Sequence, residues 1–180
     1  DMALFFAGSV GSHSPRSKGE EFEEAAYIGE ALADSVLKYM IHTDLRDSIG
    51  LSFLTLGMDL PELHIRVSDG LRLNPRLAGK LFPPSGRVSL QAARIGDLIW
   101  VSTPSDFSGE MAIDYKNAVF KEGYRALVTS FNGAYVGYII PGKYYHLNEY
   151  ESRLMSWYGP NMGPYTHEMI YRMMNKLLES

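Results

Sequence analysis

Hydrophobic side chains recur every three or four positions in two parts of the chain, which is the spacing of one face of an α-helix. The first stretch predicts a long amphipathic helix over residues 19–40, and the glutamates in its first turns are typical of a solvated face near the positive end of the helix dipole. The second stretch, residues 165–178, carries methionine, isoleucine and leucine at helical spacing. We expect these methionines to pack in the core rather than to bind a cofactor.

Short hydrophobic runs rich in β-branched and aromatic residues predict strands between these helices. Two of them, residues 88–95 and 98–101, flank the dipeptide Gly96-Asp97 and predict a β-hairpin. The other strand candidates are residues 3–7, 49–56, 63–67 and 126–131. Strands mixed with helices in this way indicate an α/β fold. We therefore predict a mixed β-sheet with flanking helices.

The part of the chain between the early strands and the hairpin carries weaker signals. In residues 63–67, His64 and Arg66 alternate with aliphatic side chains, so we expect both on the solvent-facing side of a strand. Residues 68–86 are rich in turn-forming residues and predict a long surface excursion.

An acidic residue comes directly after the strand at residues 98–101. Pro104 prevents a simple continuation of that strand, so Asp106 lies just past its end. Residues 105–108 offer helix N-caps, and a helix is predicted from there to about Phe120. Capping of that helix is one role for Asp106.

Two tyrosines come directly after the next strand. The strand at residues 126–131 ends at the turn Asn132-Gly133, and Tyr135 and Tyr138 come next. If this strand and the one before Asp106 are parallel neighbours joined by the helix, the acid and both tyrosines meet at one edge of the sheet. Open α/β sheets bind their ligands at such an edge.

Size and composition restrict the class of protein. The chain has 180 residues, a length typical of one domain, so we predict a single domain over residues 1–180. A net charge of −4 with no long basic run gives no indication of nucleic-acid binding, and the absence of cysteine excludes disulfides and thiolate metal sites. No hydrophobic run is long enough to predict a transmembrane segment. Because the chain starts inside a strand candidate, we interpret it as a fragment.

Well-known catalytic sequence motifs are absent, including Gly-x-Ser-x-Gly, His-Glu-x-x-His and the P-loop. The small-residue loop Gly8–Pro15 lets a ligand approach the backbone closely, but it is equally typical of a plain connection. His13 and Ser14 within it could form a metal-free serine amidase site, although neighbouring loop residues rarely make a working pair. The many tyrosines in the last third of the chain suit a half-buried cleft or an interface.

Several separated landmarks, taken in their order, resemble the latter part of the catalytic domain of neutral ceramidases. They are the loop Gly11-Ser12-His13-Ser14-Pro15-Arg16, which resembles that family's Gly-Asp-Val-Ser-Pro-Asn loop, then Ile95-Gly96-Asp97 before a hydrophobic strand, Pro104 to Phe107, Asn132 with Tyr135 and Tyr138, and Tyr150-Glu151 with Tyr158-Gly159-Pro160. The resemblance covers most of the chain. It implies that residues 1–180 are the C-terminal portion of a ceramidase-type catalytic domain.

The resemblance also implies an activity and roles for individual residues. The family consists of zinc-dependent amide hydrolases that cleave an N-acyl sphingoid to a fatty acid and an amine. By position, Ser14 matches the family's active-site serine and Asp106 matches a zinc-binding glutamate. Tyr138 matches a zinc-bound tyrosine, and Tyr150 matches a tyrosine that steadies the reacting carbonyl. The expected substrate is a lipid-like N-acyl compound, with transient contact at a membrane surface and an extracellular or periplasmic location.

This chain departs from the family pattern at defined places. Asp106 is one methylene shorter than the family's glutamate, and Ser12 and Arg16 replace an aspartate and an asparagine. Glu110, one helical turn after Asp106, can compensate for the shorter acid. The family's two zinc-binding histidines come from an earlier part of the domain, and no histidine here stands at an equivalent position. We therefore expect this fragment to be inactive alone. The alternative function is a non-catalytic binding or structural domain that holds no metal.

Overall fold

The computed structural model describes residues 4–43, 46–82 and 87–179. The chain divides into two compact units, of which the larger comprises Asp1–Ser12 and Gly50–Ser180 and the smaller comprises His13–Ile49. The smaller unit contains helix α1, and the larger unit contains the other helices and the strands. The prediction that residues 1–180 form one domain stays a prediction.

The larger unit alternates short strands with three helices. Its strands are β1 (Leu51–Gly57), β2 (Arg66–Ser68), β3 (Leu71–Arg72), β4 (Ser89–Ile95), β5 (Leu98–Ser102), β6 (Asp106–Phe107), β7 (Arg125–Thr129) and β8 (Tyr138–Ile139). Its helices are α2 (Pro75–Leu81), α3 (Gly109–Lys121) and α4 (Met162–Leu178), with a 3₁₀ turn at Gly142–Tyr144 and a π-helical turn at Tyr150–Leu154. This mixture of strands and helices confirms the predicted α/β fold.

The main sheet has four strands in the order β1-β4-β5-β7. Strands β4 and β5 form the predicted antiparallel hairpin, with Ile95 opposite Leu98 and the turn Gly96-Asp97 between them. Strands β5 and β7 are parallel neighbours, with Val101 beside Val128. Helix α3 lies between these two strands in the chain, as predicted. The sheet is therefore mixed, and the carboxyl ends of β5 and β7 lie side by side.

One face of the sheet forms the core with α3 and α4. Residues that alternate along β4 and β5 are buried there, and they pack in one cluster with side chains from both helices. The fully buried members include Leu90, Ile99, Val101, Val119, Ile170 and Leu177. Met173 and Met174 of α4 are buried in the same cluster, which confirms that these methionines are core residues.

The other face of the sheet carries hydrophobic side chains that are far less covered. Phe53, Ala93 and Trp100 lie next to one another across β1, β4 and β5 in the strand register. Phe53 is 60% exposed. Phe6 packs edge-on against Trp100, with ring centroids 4.9 Å apart.

The smaller unit shows the predicted long helix, which runs over Glu21–Met40. None of its residues is buried, and most of its apolar side chains, including Phe22 and Val36, are exposed. The acidic first turn is solvated, as expected. Among the residues described, the structure has no helix with the length and hydrophobicity that a membrane crossing requires.

Two local predictions were wrong, and a third was incomplete. Residues 4–7 form no strand, because among the described residues only one backbone bond joins them to the end of β7, from the Ser130 amide to the Ala7 carbonyl; Ala3 lies outside the described residues. Residues 63–65 precede the strand that was predicted to include them, and His64 is half-buried rather than solvent-facing. Residues 68–82 lie mostly at the surface, as predicted, but they also contain β3 and α2, which the turn-forming residues did not indicate; residues 83–86 lie outside the described residues.

Candidate active site

The ends of β5 and β7 are tied together by backbone hydrogen bonds, which fix the course of the chain after each strand. The Thr103 amide donates to the Thr129 carbonyl at 2.8 Å, and the Asn132 amide donates to the Thr103 carbonyl at 2.9 Å. The Val136 amide donates to the Pro104 carbonyl at 2.8 Å. The segments that follow β5 and β7 therefore run side by side beyond the main sheet, and they pair again as the short strands β6 and β8.

Strands β6 and β8 are parallel, with Asp106 directly beside Tyr138. This brings the acid and the tyrosines to one sheet edge, as the sequence predicts. Asp106 is only 6% exposed. Helix α3 begins after Ser108, and the Asp106 side chain bonds to a tyrosine instead of the helix amides. The alternative role of Asp106 as a helix cap is therefore wrong.

The partner of Asp106 is Tyr135, whose hydroxyl donates to the carboxylate Oδ2 at 2.6 Å. Burial raises the pKa of Tyr135 well above the ordinary value of a phenol, and the hydrogen bond to Asp106 raises it further. The phenol therefore keeps its proton at neutral pH and remains a donor. The sequence placed Tyr135 at this edge but indicated no role for it. The occurrence of a tyrosine three residues before Tyr138 is too weak a signal to predict a role for it.

Tyr138 and Tyr150 stand next to each other beyond this pair. Their rings meet edge to face with centroids 5.9 Å apart. Burial raises the pKa of Tyr138, and the negative charge of Asp106 adds to the effect. Tyr150 is 55% exposed, so its hydroxyl is accessible from outside. Asp106, Tyr135, Tyr138 and Tyr150 form what we call the acid-tyrosine cluster.

A π-helical turn at Tyr150–Leu154 carries Tyr150 to the cluster. The turn is anchored on β8, because the Tyr138 amide donates to the Met155 carbonyl at 2.9 Å. Gly137 makes this approach possible. It has φ of +77°, and a Cβ there would lie 2.3 Å from the Met155 oxygen and 2.9 Å from the Trp157 ring. A larger residue at this position would push the turn away from β8.

The amino-terminal loop reaches the same edge through Gly11 and Ser12. The Gly11 amide donates to the Phe107 carbonyl at 3.0 Å, and a Cβ at Gly11 would lie 2.6 Å from the Asp106 carbonyl oxygen. The Ser12 hydroxyl accepts a hydrogen bond from the Gly109 amide at 2.9 Å. The first part of the small-residue loop therefore packs against the strand that carries Asp106.

A groove with a cavity of about 290 Å³ lies in this region. Its lining includes Gly11, Ser12, Glu110, Tyr144, Glu149 and Glu151. Glu110 accepts a hydrogen bond from the Lys143 ammonium group, and this bond lowers the pKa of Glu110. Its carboxylate therefore has a cationic partner. Compensation by Glu110 for the short side chain of Asp106 stays a prediction.

Ser14 is part of the smaller unit, where it is exposed in the loop before α1. Its role as a catalytic serine, alone or with His13, remains a prediction from the sequence.

The donor set of the cluster fits zinc only in part. Asp106 and Tyr138 offer a carboxylate and a phenol oxygen in adjacent positions. Within residues 4–43, 46–82 and 87–179, no group of three or more histidine, aspartate or glutamate side chains is placed to hold a metal ion. Catalytic zinc usually has three protein ligands. The described residues thus fall short of a complete zinc site.

Comparison with known proteins relates this geometry to a known fold. No protein-family model matches the sequence, and no curated protein matches it. The structure is similar to that of neutral ceramidase from Pseudomonas aeruginosa, with a TM-score of 0.61 and 20% sequence identity over 92% of this chain and 34% of that chain. A second similar structure is a ceramidase complexed with C2, with a TM-score of 0.42 and 22% identity over 47% of this chain and 14% of that chain.

The match to the Pseudomonas aeruginosa enzyme confirms the resemblance at the level of the fold. The chain spans about a third of the length of the Pseudomonas aeruginosa enzyme. The chain has the α/β fold of part of a neutral ceramidase.

Proposed function

We propose that the full-length protein hydrolyses the amide bond of an N-acyl sphingoid or a related N-acyl lipid, and releases a fatty acid and an amine. The observation that supports this most is the buried Asp106 carboxylate, which accepts a hydrogen bond from Tyr135 and lies beside Tyr138 at the edge where α/β sheets bind ligands. The fold shared with a neutral ceramidase supports the same reaction class. We further propose transient contact with a membrane surface, where such a lipid resides, and an extracellular or periplasmic location.

The tyrosines suit the main electrostatic demand of amide hydrolysis. When water adds to the amide carbonyl, negative charge develops on the carbonyl oxygen, and a fixed hydroxyl donor stabilises that charge. Tyr150 is the best candidate for this hydroxyl donor, because its side chain is accessible while its backbone is anchored through the π-helical turn. One such donor contributes about 3 kcal/mol to transition-state stabilisation.

We propose that Asp106 and Tyr138 supply two ligands of a zinc site, and that the missing ligands come from outside residues 1–180. Zinc bound there would lower the pKa of a water molecule toward neutrality. Tyr135 then acts as a positioning residue, because its hydrogen bond to Oδ2 fixes the orientation of the Asp106 carboxylate. Such outer hydrogen bonds commonly orient metal-binding carboxylates.

Substitution of Tyr150 and Asp106 in the full-length protein tests this proposal. Tyr150→Phe is expected to lower kcat by about 100-fold, which corresponds to the loss of one oxyanion donor, with unchanged zinc content. Asp106→Ala is expected to lose both activity and zinc. The measurements are steady-state hydrolysis of an N-acyl sphingoid and metal analysis of the purified variants.

Tyr124→Phe is the matched control for the tyrosine variant. Tyr124 precedes β7, whereas the cluster lies beyond the other end of that strand, so the loss of its hydroxyl should leave kcat unchanged. Unchanged zinc content together with normal turnover in Asp106→Ala would refute the assignment.

The second candidate function is a binding domain without metal. It is favoured by the incomplete ligand set among the described residues and by the use of Asp106 Oδ2 in a bond to Tyr135. In that case the full-length protein would retain an N-acyl lipid without hydrolysing it, and metal analysis would find no bound zinc. The same two measurements therefore decide between the two functions.

A further inference from the structure

A second cavity of about 540 Å³ lies between the β2-β3 hairpin and the chain around Tyr145 and Pro160. We call it the basic cleft, because its lining includes His64, Arg66, Arg72 and His146. It shares no lining residue with the groove beside the acid-tyrosine cluster. It is therefore a separate feature of the larger unit.

The first guanidinium in the basic cleft has a structural role. Arg66 donates to the carbonyl oxygens of Tyr145 and Leu147, the latter at 3.3 Å, and its Nη2 lies 3.5 Å from Oδ1 of Asp69. Its side chain is only 11% exposed. Arg66 thus holds the hairpin against the later chain, and Asp69 offsets its charge.

The second guanidinium lacks such compensation. Arg72 Nη1 lies 3.1 Å from Nδ1 and 3.0 Å from Nε2 of His64. Among the residues that the structure describes, Arg72 forms no ion pair with a carboxylate. Burial lowers the pKa of His64, and the charge of Arg72 lowers it further, against the opposite effect of Glu62. The excess positive charge at this contact is therefore that of Arg72, beside an imidazole whose charged form is disfavoured.

His64 is held in a fixed position at the wall of the cleft. Its backbone amide donates to the Trp157 carbonyl at 2.6 Å, and the Tyr145 hydroxyl donates to its carbonyl at 3.4 Å. Its ring packs on Gly159, where a Cβ would lie 3.1 Å from the imidazole Cγ. The ring is thus placed before any ligand arrives, which reduces the entropy cost of binding.

We propose that the basic cleft binds a phosphate-type oxyanion between the Arg72 guanidinium and the His64 imidazole. A guanidinium presents parallel N–H donors that match the oxygens of such an anion, and the bonds are charge-assisted. The anion would take the place of the close contact between the two side chains. Free phosphate and the phosphomonoester headgroup of a lipid share this chemistry.

Calorimetric titration of the full-length protein with inorganic phosphate is the first test. Arg72→Gln should weaken binding by about tenfold or more, the effect of losing a charge-assisted hydrogen bond. Arg125→Gln is the matched control, because Arg125 is exposed at the start of β7 and the substitution changes the net charge equally. Equal affinities of wild type and Arg72→Gln would overturn the proposal.

Vesicle sedimentation distinguishes the two sources of the anion. Vesicles of phosphatidylcholine alone are compared with vesicles that also contain phosphatidic acid. Retention that requires phosphatidic acid and Arg72 identifies a lipid headgroup, whereas binding of inorganic phosphate without such retention identifies a free anion. Failure to bind either one would refute the site.

Proton uptake by His64 provides a second readout. An anion beside His64 raises the pKa that burial and Arg72 lower, so binding takes up a proton and tightens as the pH falls. Sulfate is the suitable probe, because its charge does not change between about pH 8 and about pH 6, the range of histidine titration. Its affinity should rise over that range in wild type and change less in His64→Gln. An unaltered pH dependence in His64→Gln would contradict the proposed role of His64.

Discussion

Tyr115 and the half-buried Tyr135 differ in what their hydroxyl groups do. Tyr115 of α3 is almost fully buried, and its hydroxyl has no hydrogen-bond partner among the described residues. Its ring packs edge-on against Tyr171 of α4, with centroids 6.0 Å apart. Tyr135 instead donates to the Asp106 carboxylate. The same side chain thus contributes packing at one place and a charge-assisted hydrogen bond at the other.

Replacement of each tyrosine by phenylalanine separates these contributions. Tyr135→Phe leaves Asp106 buried without its donor and should lower the free energy of unfolding by about 1–3 kcal/mol. Tyr115→Phe removes a hydroxyl that has no partner among the described residues, so stability should be unchanged or slightly higher. Urea unfolding of both variants measures the difference. A larger loss for Tyr115→Phe than for Tyr135→Phe would contradict this account.

The raised pKa of both tyrosines also makes stability depend on pH. In the unfolded chain a tyrosine ionises at about pH 10, whereas burial keeps both residues protonated to higher pH in the folded protein. Their contribution to the free energy of unfolding is complete below about pH 10. It is lost as the pH rises further, because the unfolded chain then releases the tyrosine protons and the folded protein does not. The free energy of unfolding should therefore fall above about pH 10, and less steeply in Tyr115→Phe. An identical alkaline decline in wild type and variant would exclude this role for Tyr115.

At the level of elements, the cluster depends on strands of only two residues. Strand β6 pairs with β8, and the π-helical turn is bonded back to β8 through Met155. Gly137 lies where all three meet. The geometry of the cluster is therefore set by backbone contacts rather than by long elements.

Two glycines with the same backbone angle test that dependence. Gly137 and Gly133 both have φ of +77°, but a Cβ at Gly133 meets nothing within 4 Å. Gly133→Ala should cost only the backbone strain, about 1–2 kcal/mol. Gly137→Ala should cost roughly 1–3 kcal/mol more because of the clash, and should also lower activity because the turn with Tyr150 moves. Thermal unfolding and hydrolysis assays measure both effects, and equal losses in the two variants would contradict the contact.

For the molecule as a whole, the sequence predicts the elements that repeat a pattern and misses those that do not. Residues 88–95 and 98–101 alternate around a Gly-Asp turn, so the hairpin was predictable, and so was the parallel pair that carries Asp106 and Tyr138 to one edge. Strands β6 and β8 are too short to show any periodicity. The hydrogen bond from Tyr135 to Asp106 spans 29 positions, and no local signal indicates it.

Hydrophobic pattern alone was also insufficient at the amino-terminal part. Residues 4–7 have the composition of a strand, but within the described part of the chain one backbone bond joins them to the end of β7. The helix Glu21–Met40 has a hydrophobic pattern without a buried residue. The hydrophobic pattern predicts which segments can form a helix or a strand. It does not predict which part of the folded protein covers their hydrophobic side chains, because that depends on the tertiary structure. The roles of Ser14, Asp106, Tyr138 and Tyr150 likewise remain predictions, and the proposed variants test those of Asp106 and Tyr150.

The positions of the two tryptophans give the molecule a built-in optical reporter. Trp157 packs edge-on against Tyr135, with centroids 5.5 Å apart, and Tyr135 in turn holds Asp106. Trp100, the other indole in the sequence, lies on the open side of the sheet next to Phe6. Replacing Trp100 by phenylalanine would leave Trp157 as the single tryptophan, in contact with the tyrosine that donates to the Asp106 carboxylate. Its emission would then track occupancy of the cluster in real time, without any added label.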